Sequence, residues 1–144
     1  MTRSRRMQPV QRVAHNREQS AVQKLGQSQQ YLAAQQAKLD ELRSYRDQYT
    51  KDFEASGGAG LGATRLRDYR VFLSRLNEAI CQQETLLAQC SCQHEETRRQ
   101  WIQTRTHSQA IDKVVQRFHA EEQRQQERRE QKEQDEHAAR PHKK

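Results

Sequence analysis

Apolar residues recur at alternating steps of three and four along two long stretches of this chain, and one Gly-rich interruption separates them. In the second stretch, with Leu66 at heptad position a and Tyr69 at d, the a positions are Leu66, Leu73, Ile80, Leu87, His94, Trp101, Ser108 and Val115. The d positions are Tyr69, Leu76, Gln83, Cys90, Thr97, Thr104, Ile111 and Phe118. Eleven of these sixteen are apolar in a chain that is only 32% hydrophobic, so the seam is far richer than its surroundings. A period of 3.5 sustained this long predicts a coiled coil. The first stretch repeats the pattern more weakly, with Leu25, Leu32, Leu39 and Phe53 at a and Ala14, Ala21, Leu42 and Tyr49 at d. Ser28, Gln35 and Arg46 interrupt it.

The interruption runs from Ser56 to Thr64 and holds Gly57, Gly58, Gly60 and Gly62. Glycine loses the most backbone freedom in a helix and readily ends one. Thr64 is the expected N-cap of the second helix. Pro9 and Pro141 lie near the two ends, with no proline between them. The reading is a first helix over about 10–55, a turn over about 56–63 and a second helix over about 64–137, with flexible ends.

A short connection makes two helices antiparallel neighbours. Folding about the turn opposes residues whose numbers sum to roughly 119. Leu39 then faces Ile80, Leu32 faces Leu87, Leu25 faces His94, and Glu18 lies near Trp101. The fold class is therefore all-α: a long antiparallel two-helix coiled-coil hairpin in one elongated domain spanning residues 1–144. At about 1.5 Å per residue the arms reach roughly 70 Å and roughly 110 Å, so the second helix overhangs. The overhang is expected to leave Ile111, Val115 and Phe118 poorly covered, and an uncovered apolar stripe invites a partner. The polar seam positions weaken the pair and fix its register. Beyond Phe118 the tail is either a solvated helix supported by pairs such as Arg129–Glu133 and Lys132–Glu136, or a frayed end.

Composition agrees with a thin seam and not with a globular core. Mean hydropathy is −1.30, and Gln, Arg, Glu, Ala and Leu, all strong helix formers, dominate. Net charge is +7, and its placement matters more than its size. Arg3, Arg5, Arg6, Arg12 and Arg17 are unopposed by any acidic residue in the first seventeen positions. From His119 to Lys144 seven acidic side chains balance seven Lys and Arg. The N-terminal arm is thus the basic region, suited to acidic protein surface or phosphates, or simply a solvated helix start. No long basic stripe supports direct nucleic-acid binding. The opening residues precede no apolar run, so no secretory signal is read. No stretch approaches a membrane span. Cys81, Cys90 and Cys92 make an odd count that suits a reducing compartment.

Cys90-Ser-Cys92-Gln-His94 resembles a metal motif, but on a helix Cys92 points about 200° away from Cys90, so no metal site is assigned. The Gly58–Gly62 run lacks the preceding strand of a dinucleotide loop and the Gly-Lys-Ser/Thr of a P-loop, and reads as a turn. No catalytic constellation is visible, and neither enzyme activity nor a cofactor is expected. Tyr45, Tyr49, Phe53, Tyr69 and Phe72 gather near the turn. Tyr49, Phe53 and Tyr69 are seam residues, whereas Tyr45 and Phe72 flank the seam, where aromatics serve binding.

The run Asp68-Tyr-Arg-Val-Phe72-Leu-Ser-Arg-Leu76-Asn-Glu-Ala79-Ile80-Cys-Gln-Gln83 resembles the start of the second helix in the FliJ family of flagellar export proteins. Leu42-x-x-Tyr45-x-x-x-Tyr49, the Gly-rich turn, Trp101 and the Gln/Glu/Arg-rich end extend the likeness over roughly Val10 to Glu136. The cysteines lie outside the pattern. The resemblance implies a non-catalytic central stalk of the flagellar type III export apparatus. Its joined helix ends would sit in the hexameric export ATPase and promote that enzyme's assembly and activity. Its tip would reach the membrane export gate, and it would help to cycle export chaperones. The implied gate-binding tip is Leu42, Tyr45, Tyr49, Phe72, Leu76 and Ala79. The implied ring-facing set is Arg5, Arg6, Val10, Val13, Ile111, Val115 and Phe118. The implied location is cytoplasmic, on the inner face of the membrane at the flagellar base. The equivalent stalk of a virulence secretion system, and a coiled-coil adaptor with nucleic-acid affinity, are the alternatives.

Overall fold

The computed structural model describes residues 2–57, 60 and 62–140. Two helices make the fold, α1 (Arg3–Ala55) and α2 (Ala63–Ala139), and they pack against each other as a helical hairpin. No strand occurs among the described residues. The second helix is the longer, 77 residues against 53.

The heptads hold throughout. Every a and d position of α2 from Leu66 to Phe118 is buried or half-buried. So is every seam position named for α1, the polar Ser28, Gln35 and Arg46 included. Helix boundaries obey local chemistry. Ser56 closes α1 by donating its hydroxyl to the carbonyls of Asp52 and Phe53, and Gly57 turns with φ +101°, a region costly for a residue with a Cβ. Gly62, at φ +81°, precedes α2 and accepts from the amide of Leu66. Gly62 therefore holds the cap position expected of Thr64, which lies inside the first turn. Gly58, Ala59 and Leu61 of the expected turn, and Pro141, fall outside the described residues.

The first arm begins earlier than the sequence suggests. α1 starts at Arg3 and carries Pro9 inside it. Proline was expected to mark the start because it lacks an N–H. Here, however, six residues ahead of it remain helical. Thr2 caps them, its Oγ1 accepting from the Arg5 amide at 3.4 Å, and the Arg6 amide donates to the Thr2 carbonyl. The helix does run on through the polar tail to Ala139, but the ladder there includes Gln126 donating to Glu130 and not the two charge pairs expected.

By contact density the chain divides into two compact units, one joining the chain ends (Met1–Val22 with Gln100–Lys144) and one around the loop (Gln23–Arg99). In the loop unit Leu39, Leu76 and Ile80 form a buried cluster with Leu42 and Leu87 against it, as the predicted facing of Leu39 and Ile80 requires. In the chain-end unit Ala14, Ile111 and Val115 form a second cluster, with Met7 packed on it. The expectation that Ile111, Val115 and Phe118 hang uncovered is thus overturned. Ile111 and Val115 are core residues, 8% and 5% exposed, because α1 extends far enough to cover them. Phe118 is half-buried beneath the Arg3 guanidinium, which sits 5.8 Å from its ring centroid.

Candidate functional site: the aromatic tip and the chain ends

In the loop unit the aromatics form one stack that crosses between the helices. Phe53 lies flat on Tyr69 with centroids 3.7 Å apart, and Tyr69 stacks on Tyr49 at 5.5 Å. Tyr49 tilts against Phe72 at 4.4 Å, and Phe72 meets Tyr45 edge-on at 6.1 Å. Such contacts add roughly 0.5–1.5 kcal/mol per pair beyond area burial. The stack also grades from inside to outside. Tyr49, Phe53 and Tyr69 are half-buried, while Tyr45 remains 55% exposed and Phe72 36%. Flank aromatics held by ring contacts on one edge and open on the other are pre-ordered for a partner.

Of the six tip residues read from the sequence, Leu42, Tyr49 and Ala79 are half-buried and Leu76 is buried, at 8% exposure. Leu76 packs into the Leu39 and Ile80 cluster. Its d position predicts burial, and that reading prevails over the assigned contact role. Gln83 joins the region as a polar layer: its side-chain amide donates to both the backbone carbonyl (3.0 Å) and the side-chain oxygen (2.9 Å) of Gln35. A buried amide pair of this kind tolerates only one register. Farther along, His94 Nδ1 and the Ser28 hydroxyl are 3.1 Å apart, one helical turn from the Leu25 it was expected to face. Cys90 is buried, while Cys81 and Cys92 are exposed on the outer surface. No cluster of three or more His, Cys, Asp or Glu that would hold a metal occurs among the described residues.

The chain-end unit relies on carboxylates of α2 reaching α1. Asp112 accepts from the Gln11 amide at 2.8 Å and pairs with His15 Nε2 at 2.8 Å. The Gln11 bond holds its carboxyl below the ordinary value, partial burial opposes this, and the His15 contacts add to the lowering. Glu122 accepts from the Ser4 hydroxyl at 2.6 Å and the Ser4 backbone amide at 3.0 Å. Those two bonds, the hydroxyl first, hold Glu122 below its usual range against some desolvation.

The seven ring-facing residues separate into two groups. Arg5, Arg6, Val10 and Val13 are exposed, the valines by 46% and 49%. Val10 and Val13 share a shallow groove with Pro9, Ala14, Arg17 and His107. Ile111 and Val115 are core, and Phe118 is intermediate. Reasoning from the sequence missed Ser4 and Glu122. A seam extended one heptad past Val115 and back to Ser4 places both at a positions, which was the available signal.

The FliJ family model, described as flagellar FliJ protein, matches residues 3–144. The chain belongs to the FliJ family. No curated protein and no solved structure matches it. Membership across essentially the whole chain identifies a component of flagellar protein export, and the coiled-coil hairpin is the form that the FliJ resemblance implied. No described helix is long and apolar enough to cross a membrane.

Proposed function

We propose that the chain is the central stalk of the flagellar type III export ATPase. The observation that carries this reading is the FliJ family match over residues 3–144. In this reading the chain-end unit enters the hexameric ATPase ring and promotes its assembly and activity. The loop unit offers its aromatic tip to the membrane export gate, and the protein engages export chaperones while catalysing nothing itself. It acts in the cytoplasm, gathered peripherally at the flagellar base. The exposed aromatics Tyr45 and Phe72, with Leu42, Tyr49 and Ala79 beside them, support the gate contact. Arg5 and Arg6 next to exposed Val10 and Val13 support a ring contact with an acidic, partly apolar pore.

Titration of the protein into its cognate export ATPase, with hexamer formation and ATP hydrolysis as readouts, tests this. Wild type stimulates hydrolysis, and a Val10→Asp, Val13→Asp variant, altered only at exposed positions, does not. Stimulation by both chains removes the ring contact from this groove. Failure of wild type to bind or stimulate refutes the stalk role.

A further inference from the structure

The start of α1 is built unlike the rest of the helix. It carries Arg3, Arg5 and Arg6 and no acidic residue in its first turn. Positive charge there opposes the helix macrodipole, so this turn is a poor helix start by itself. Thr2 satisfies the Arg5 amide. The Ser4 amide finds its acceptor only on the other helix, at Glu122, which also takes the Ser4 hydroxyl. Ser4 is consequently almost fully buried, at 3% exposure. Arg3 lies over Phe118, and Met7 packs on the Ala14, Ile111 and Val115 cluster. Immediately after these contacts comes Pro9, which has no N–H to give the Arg5 carbonyl and whose ring crowds it. The ladder that would tie residues 3–8 to the remainder of α1 is therefore weakened at one point.

We infer that residues 3–8 form an autoinhibitory strap, hinged at Pro9 and latched by Glu122, which covers Val115 and Phe118 and releases them to a partner. The strap is a region with two discrete arrangements. Closed, it continues the seam of α1 to its last layer. Open, it leaves Val115, Phe118 and Glu122 on α2 as a vacated heptad face, apolar with one anionic edge. An amphipathic helix carrying a cation opposite Glu122 fits that face, as the strap itself does with its arginines. The partner clause rests on the proposed ring contact, whereas the strap itself does not.

Amide hydrogen exchange on the full chain tests the strap. The reporters are the amides of Met7 and Gln8, whose helical acceptors lie within it, and of Arg6, which donates to the Thr2 carbonyl just ahead of it, compared with amides 11–20 beyond the hinge. In wild type the reporters exchange faster than the reference set. Glu122→Ala accelerates them by roughly tenfold, the scale of losing a capping bond, and leaves residues 11–20 unchanged. Pro9→Ala, which restores the missing bond, slows them towards the reference. Exchange of both sets at one rate in all three chains overturns the strap. Binding to the export ATPase then tests the autoinhibition. Ser4→Ala, which removes the hydroxyl bond of the latch but keeps the Glu122 carboxylate for the partner's cation, binds several-fold tighter than wild type and Pro9→Ala several-fold weaker. Equal affinities overturn the autoinhibitory role. No binding by any of the three refutes the ring contact alone, and the exchange result still judges the strap.

Discussion

Around the loop, Leu39, Leu76 and Ile80 close a small apolar core, and an aromatic stack extends it towards the turn. At the chain ends the apolar cluster is Ala14, Ile111 and Val115, and much of the remaining contact is made by Asp112 and Glu122 reaching α1. One unit relies on burial of large side chains, the other on a smaller core plus charge-assisted hydrogen bonds. Burial scales with area and is indifferent to pH. Carboxylate bonds are directional and lose their charge assistance when the acid is protonated. The same helix pair thus has one region suited to steady shape and another suited to adjustment.

Truncating Leu39 to alanine should have the largest effect. Leu39 is 2% exposed at the centre of the loop cluster, and such a deletion costs about 2–5 kcal/mol. The thermal unfolding midpoint by circular dichroism should fall accordingly, with exchange accelerated first in residues of the loop unit. An equal acceleration at the chain ends would erase the distinction between the units.

Acid should act the other way round. Both Asp112 and Glu122 have folded-state values lowered from their ordinary 3.8 and 4.5. A lowered value stabilises the fold above the ordinary one, and that contribution disappears as pH falls through the lowered value. Neither carboxylate loses its charge between neutral pH and about pH 5, and below about pH 4.5 exchange should rise at residues 4–15 before it rises around Leu39. Loss of protection around Leu39 first would contradict the assignment of acid sensitivity to the chain ends.

The smallest effect should be a gain. Ser108 is fully buried in the chain-end unit, at 0% exposure, and its hydroxyl has no hydrogen-bond partner. Ser108→Ala removes an unpaired buried hydroxyl and introduces the best helix former, so stability should rise by about 1 kcal/mol. A fall in the denaturant midpoint would mean that the hydroxyl is bonded in solution.

Trp101 shows why seam geometry reads more easily than seam chemistry. Its a position predicts an inward ring, and the residue is half-buried, yet its indole nitrogen is enclosed without a partner while Arg105 covers the ring at 5.4 Å. The heptad supplies the direction of a side chain but not whether the facing helix offers an acceptor. Leu76 makes the complementary point. Its place in the motif resembling FliJ suggested a contact residue, whereas its d position buries it. Where the two readings conflict, burial prevails, because an apolar side chain on the seam gains more by leaving water than by waiting for a partner.

Periodicity alone determined the two helices, the Gly-rich connection, the identity of nearly every seam residue and the facing of Leu39 with Ile80. These arise from local geometry, since a repeat of 3.5 places the same face inward over the whole length. The tertiary structure alone decided how far α1 reaches. Pro9 reads locally as a helix start, but contacts made by Met7, Arg3 and Ser4 with α2 offset the bond it forfeits and keep six residues helical ahead of it. That extension covers Ile111 and Val115 and creates the Ser4–Glu122 latch. Its acceptor lies 118 residues away in the chain, and the extended heptad puts both residues at a positions without saying that they meet.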